Sequence, residues 1–303
     1  MIIPVKCFTC GKVLASKYRY YQLEVRRIKS NRDMEVDNVV YLTQDRKEKT
    51  PETTTPDAPA ETTTSSGVVR PTLPPQAATP SALDDAIATM LGGNAQAALA
   101  QLQPMYDGIA DADETLAART VVGSWVVVGH CSVLLPENGD DLLNSMKQWT
   151  ARLESAAATE ATTARALTTL AEGALHKAFG DFEEAIVCLE AVSHSSSPWR
   201  DLATLWLAEA TLNSAYREDG EGIERPEKID EARPLYERAL NESTRDIVRG
   251  MANEGLAVVA ELKRNRSEAC EYATAALAAY EKSGASDDRL ESPQLTLEKN
   301  RCE

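Results

Sequence analysis

Residues 169–198 read TLAEGALHKAFGDFEEAIVCLEAVSHSSSP. Apolar and small residues recur at three- and four-residue steps on both sides of Gly180-Asp181-Phe182, the spacing that gathers one face of a helix. Gly173 lies midway along the first pattern, and Ala185, Leu189 and Val192 share a face of the second. Gly180-Asp181-Phe182 separates the two helices. Asp181, Glu183 and Glu184 sit where the next helix begins, at the positive end of its dipole. Pro198 then stops it. The stretch is a helical hairpin, and a hairpin of this size cannot bury its own apolar face, so it needs neighbours of the same kind.

Those neighbours are present. Ala232, Tyr236 and Ala239 precede Leu240, and Ala269, Ala273 and Ala276 precede Leu277; an earlier unit has Gly93, Ala98, Leu102 and Met105. Small residues at a helix crossing allow close approach, and large ones fill the groove of the next hairpin. Ala185 to Ala232 is 47 residues and Ala232 to Ala269 is 37. The pattern resembles the tetratricopeptide (TPR) repeat, whose period is about 34 residues. The longer gap then holds an insertion, supplied by the polar, Gly-containing run from Glu218 to Pro226. The resemblance implies a solenoid of helical hairpins over residues 81–283 with a concave face. Two further helices are expected at Leu116–Leu134 and Asp140–Ala157, anchored by Trp125 and Trp149. The last firm helix is expected at Ser267–Lys282, with 284–303 a flexible tail.

Upstream the character changes. Residues 49–80 hold seven of the fourteen prolines and two threonine triplets; they lack the apolar content for a core and read as a disordered linker. Residues 1–48 contain Cys7-x-x-Cys10-Gly11, a basic helix expected from about Ser16 to Ser30, and a possible short strand at Val39–Leu42. Two thiolates at that spacing can share one metal ion while the loop between them stays tight.

The opening frame of Ile2, Pro4, Val5, Lys6, Cys7, Phe8, Cys10, Gly11, Lys12 and Val13 resembles the small zinc-binding subunit of DNA-directed RNA polymerase, called subunit N in archaea. The resemblance covers about the first 50 residues, so residues 1–48 are expected to be a truncated copy of that subunit. It implies a structural zinc with Cys7 and Cys10 as ligands, and an assembly contact in which Ile2, Val5 and Phe8 pack into the large polymerase subunits. The family completes its site with a later adjacent Cys-Cys pair, which this sequence lacks. Two of four ligands are therefore present; either another chain or a remote cysteine supplies the rest, or the metal is weakly held or absent.

Charge divides the chain in the same place. Residues 1–50 hold 11 Lys/Arg against 6 Asp/Glu, and the remaining 253 hold 21 against 41. The acidic body repels nucleic-acid backbones and favours a basic or amphipathic peptide as partner. In the basic head, Arg26 and Arg27 suit nucleic acid, an acidic protein surface or solvent alike; the polymerase resemblance implies that DNA is reached only through the complex. Six scattered cysteines argue against a disulfide framework. The longest apolar stretch, Val121–Leu135, is broken by Gly and Ser and falls short of the ~20 residues of a spanning helix. No secretory leader is apparent. The expected location is intracellular and soluble: cytoplasmic, or nuclear in a eukaryote.

No GxSxG, P-loop, GxGxxG or HExxH motif occurs, and three histidines are too few and too scattered to suggest a triad. His130 reads as core packing and His176 as packing or surface. Cys131, Cys188 and Cys270 read as buried small hydrophobes. No catalytic residue is expected. Two functions stay open. One is a non-catalytic zinc-binding polymerase subunit carrying a fused TPR-like interaction domain. The other is a TPR scaffold for a basic or amphipathic peptide, with the N-terminal motif vestigial or an accident of fusion.

Overall fold

The computed structural model describes residues 80–133, 136–217 and 222–302. The knuckle, the basic helix and the linker expected over residues 1–79 lie outside the described residues, as do Ile2, Val5, Cys7, Phe8, Cys10, Arg26 and Arg27. All described residues belong to one compact unit.

Eleven α-helices run through the described residues: α1 (Pro80–Leu91), α2 (Ala95–Gly108), α3 (Leu116–Ser132), α4 (Glu137–Ser155), α5 (Ala161–Phe179), α6 (Phe182–Ser193), α7 (Arg200–Asn213), α8 (Glu227–Glu242), α9 (Asp246–Leu262), α10 (Arg266–Ser283) and α11 (Asp287–Asn300). A single 3₁₀ turn, Asp113–Thr115, precedes α3. Among the described residues β pairing is limited to one isolated bridge between Tyr216, just before the run expected as an insertion, and Ile223 within it. The mainly α, hairpin-stacked class read from the spacing is what the chain adopts.

Local signals start and stop these helices. The Asn94 side chain accepts from Ala97 N–H at the start of α2, and Asn265 accepts from Glu268 N–H at the start of α10, which satisfies donors the helix itself leaves orphaned. Gly180 closes α5 at φ +91°, and its N–H reaches back to the last carbonyls of that helix. An Asp181 side-chain cap is not made: α6 begins without one, and the dipole alone favours the acids there.

Each helix packs on the next, and each odd-numbered helix also packs on the next odd-numbered one. That double adjacency is the signature of stacked hairpins, in which the first helices form a continuous row. Burial follows it. Val122–Gly129 of α3 and Asp201–Ala208 of α7 are buried without interruption, so these helices are covered all round. The even helices bury one stripe only: Ala185, Leu189 and Val192 on α6; Ala232, Tyr236 and Ala239 on α8; Ala269, Ala273, Ala276 and Tyr280 on α10. The odd row is the core and the even row the outer shell. One apolar cluster runs from Ala86 to Tyr280, with a small satellite of Leu116, Leu153, Ala161 and Ala164.

Two expectations for the C-terminus need correction. Residues 287–300, read as part of a flexible tail, form α11, which packs on α10 and α9. Cys270, read as a buried small hydrophobe, is joined to Cys302 in a disulfide. The run Asp287–Asn300 carries few apolar residues and an internal proline. It is held by contacts that lie far away in sequence and leave no local signature.

Candidate functional site

The most concentrated polar chemistry in the core row surrounds Arg245, the residue that starts α9. Its guanidinium lies 4.2 Å above the Trp199 ring, pairs with Asp201 at 3.2 Å and donates to the Pro198 carbonyl. Asp201, in the first turn of α7, also accepts from Leu202 N–H at 2.9 Å and from the Ser243 hydroxyl. Trp199 meets Trp125 of α3 edge to face, with centroids 4.6 Å apart. Helices α3, α7 and α9 thus converge on one aromatic and ionic node. Burial draws the Arg245 guanidinium below its ordinary pKa, and Asp201 opposes that shift. Four nitrogens around this row, Arg119 Nε, Trp125 Nε1, His130 Nδ1 and Arg245 Nη1, are buried without a hydrogen-bond partner.

A second node lies at the start of the array. Arg119 of α3 is held between Tyr106 and Trp149, 4.7 and 5.0 Å from the two ring centroids, and donates to the Ile109 carbonyl. Both tryptophans singled out by sequence therefore anchor packing, Trp125 at 1% exposure and Trp149 half-buried. The nodes combine cations, aromatic faces and carbonyls. They bind helices to one another and hold no paired nucleophile and base.

The cysteines can be placed one by one. Cys131 is buried, and that burial pushes its thiol up to about 12. Cys270 and Cys302 are consumed in their disulfide. Cys188, expected to be buried, is half-exposed and stands beside Glu172 and His176. Burial is also the main cause that raises its thiol, to about 11, with Glu172 adding to the effect.

The charged residues of the surface are extensively paired. Lys147 meets Glu172, Arg225 meets Glu183, Arg233 meets Glu237 and Glu268, Lys282 meets Asp246, and Lys299 meets Glu261. With acids outnumbering bases two to one beyond residue 50, this pairing commits much of the positive charge and leaves an excess of negative charge. No helix among the described residues is long and apolar enough to cross a membrane.

Comparison with known families places residues 2–37 in a match to the family described as RNA polymerases N / 8 kDa subunit. No solved structure matches the chain.

Proposed function

We propose that this chain is a non-catalytic assembly subunit of a DNA-directed RNA polymerase that carries an attached helical-repeat interaction domain. The match of residues 2–37 to the polymerase N subunit family carries the reading. In it, Ile2, Val5 and Phe8 pack into the large subunits, Arg26 and Arg27 lie at the same contact, and Cys7 and Cys10 give two of four ligands to a structural zinc. Because three of the remaining cysteines are buried or oxidised, a neighbouring polymerase subunit is the better source of the missing ligands. The location is then intracellular. Zinc here shapes the knuckle, and no side chain of this chain does chemistry.

A second reading assigns the activity to residues 81–283 as a TPR-like scaffold for a basic or amphipathic peptide. The row of mutually packed odd helices and the acid excess beyond residue 50 support it. Helices α3 and α7 are covered all round, so there such a peptide would lie on the even-numbered helices.

One experiment separates the two. The full chain and a variant lacking residues 1–80 are tagged and purified from cells at moderate salt. Polymerase large subunits retained by the full chain and lost with the deletion support the first reading. Partners kept in full by the deletion variant support the second, and a full chain that recovers no polymerase subunit refutes the first.

A further inference from the structure

We propose that Glu172, His176 and Cys188 form a binding site for one zinc-class dication on the α5–α6 hairpin, separate from the N-terminal knuckle. The ligating atoms of these three side chains all lie within 4.8 Å of one another. A tetrahedral set at zinc–ligand distances of ~2.0–2.3 Å needs atoms about 3.4 Å apart. Rotation of three half-exposed side chains closes that gap without backbone movement.

The hairpin's construction explains why they meet. Glu172 and His176 are four residues apart on α5 and so share one face. Gly180 turns the chain at once into α6, which returns Cys188 to the same level. Gly173, next to Glu172, lets the two helices touch: a Cβ there would stand 2.7 Å from Leu189 Cγ and 3.4 Å from Cys188 Cβ. The small residue that marks the hairpin in the sequence thereby brings the thiol to the carboxylate and the imidazole.

The histidine is also arranged for ligation. Its Nε2 faces Glu172 Oε1 at 3.9 Å, and its Nδ1 faces Asp181 Oδ2 at 3.7 Å. A carboxylate behind the non-ligating nitrogen helps to orient the ring, the usual outer shell of a histidine ligand. Thiolate, imidazole and carboxylate together suit zinc or cobalt, not calcium or magnesium. Glu172, Asp181 and Glu184 give the neighbourhood negative potential. Lys147 opposes them, its ammonium 2.5 Å from Glu172 Oε1. The Lys147 side chain is 44% exposed and can swing into solvent when a dication takes its place.

Cobalt(II) is the probe, because a cobalt–thiolate bond has its own charge-transfer absorption. The full chain with Cys7→Ser and Cys10→Ser is titrated anaerobically with cobalt, then with zinc. One cobalt per chain, a thiolate band and its loss on zinc addition are expected. Cys188→Ser in the same background should abolish the band, and His176→Gln should weaken binding at least tenfold. Lys147→Ala should tighten it about fivefold, as loss of a competing cation requires. Melting of the metal-free variants checks that they fold. In the wild-type chain, Cys188→Ser should remove one equivalent of bound cobalt, a readout that does not depend on the knuckle variants. Absence of a thiolate band in the knuckle-free chain, a band that survives Cys188→Ser, or unchanged stoichiometry in the wild-type background would each overturn the site.

Discussion

Ser286 donates both its hydroxyl and its backbone N–H to the carbonyl of Gly92, each at 2.9 Å, across 194 residues of chain. Arg289 Nε adds a bond of 3.2 Å to the carbonyl of Leu91. Those carbonyls lie at the C-terminal end of α1, where a helix has run out of intrahelical donors. The cap that α1 needs is therefore supplied by the start of α11. An open stack of hairpins leaves two ends to solvent. In this array the end of the first helix and the start of the last helix satisfy one another.

The contact is testable at Gly93. Its φ of +101° is one that L side chains rarely adopt, and a Cβ would stand 2.5 Å from Ser286 Oγ. Gly93→Ala should cost about 1–3 kcal/mol, from backbone strain and displacement of the serine. Ser286→Ala should cost about 1 kcal/mol. Urea unfolding measures both. Hydrogen exchange should rise together at residues 91–93 and 285–289 in Ser286→Ala; acceleration at one end alone would show that the two ends are not coupled.

The Cys270–Cys302 disulfide staples the residue after α11 to α10. A loop of this length contributes up to about 3–4 kcal/mol in the chain-entropy model. Cys302→Ser, or mild reduction, should lower the unfolding midpoint. The loss should concentrate in α11, where Lys299 and Asn300 also hold Glu261. Hydrogen exchange that accelerates in α11 while α9 stays protected is the expected result, and uniform acceleration would contradict it.

What the sequence reveals here is local. Gly180, Ala185, Leu189 and Val192 set the α5–α6 hairpin, and all four behave as their spacing implies. Leu116–Leu134, Asp140–Ala157 and Ser267–Lys282 were each within a few residues of the helix that forms. The same holds for the buried stripes of α8 and α10, because a period of 3.6 is written in neighbouring residues. The Arg245 node, the Ser286–Gly92 closure and α11 are different. They depend on how successive hairpins rotate, and a small rotation summed over five units brings residues about 200 apart into contact. Nothing in the run Asp287–Asn300 announces that its stability comes from Leu91 and Glu261. Cys188 was read as buried because its helical neighbours are apolar, yet it lies at the edge of the stripe, beside two polar side chains of α5.

Gly255 and Gly250 report the helix crossings of the second half. A Cβ on Gly255 would lie 2.2 Å from Tyr236 Cε1, and one on Gly250 would lie 2.6 Å from the Tyr280 ring. Both rings are buried, so they cannot move aside without disturbing the core. Gly255→Ala should destabilise by about 1–3 kcal/mol through overpacking, despite alanine's better helix propensity. Tyr236→Leu should relieve part of that cost in the double variant, a positive coupling that a double-mutant cycle in urea reads directly. Additive effects would mean that the ring is not the obstacle.

Acid should weaken the α8–α10 contact in a defined window. The Arg233 guanidinium hydrogen-bonds Glu268 and holds its carboxyl below the ordinary value of 4.5, with Asn265 assisting. A carboxyl whose folded pKa is depressed binds fewer protons folded than unfolded, so its stabilisation is present in full above the unfolded value. It is lost as pH falls through the folded one. The window therefore opens just below pH 4.5 and extends downward. Because the pair lies near the surface and is screened, its contribution at neutral pH is at most about 1 kcal/mol. Arg233→Met should lose that amount at pH 7, while the gap between variant and wild type should close toward pH 3. Urea midpoints at the two pH values measure it, and a gap that persists at pH 3 would assign the loss to packing of the arginine stem instead of to its charge.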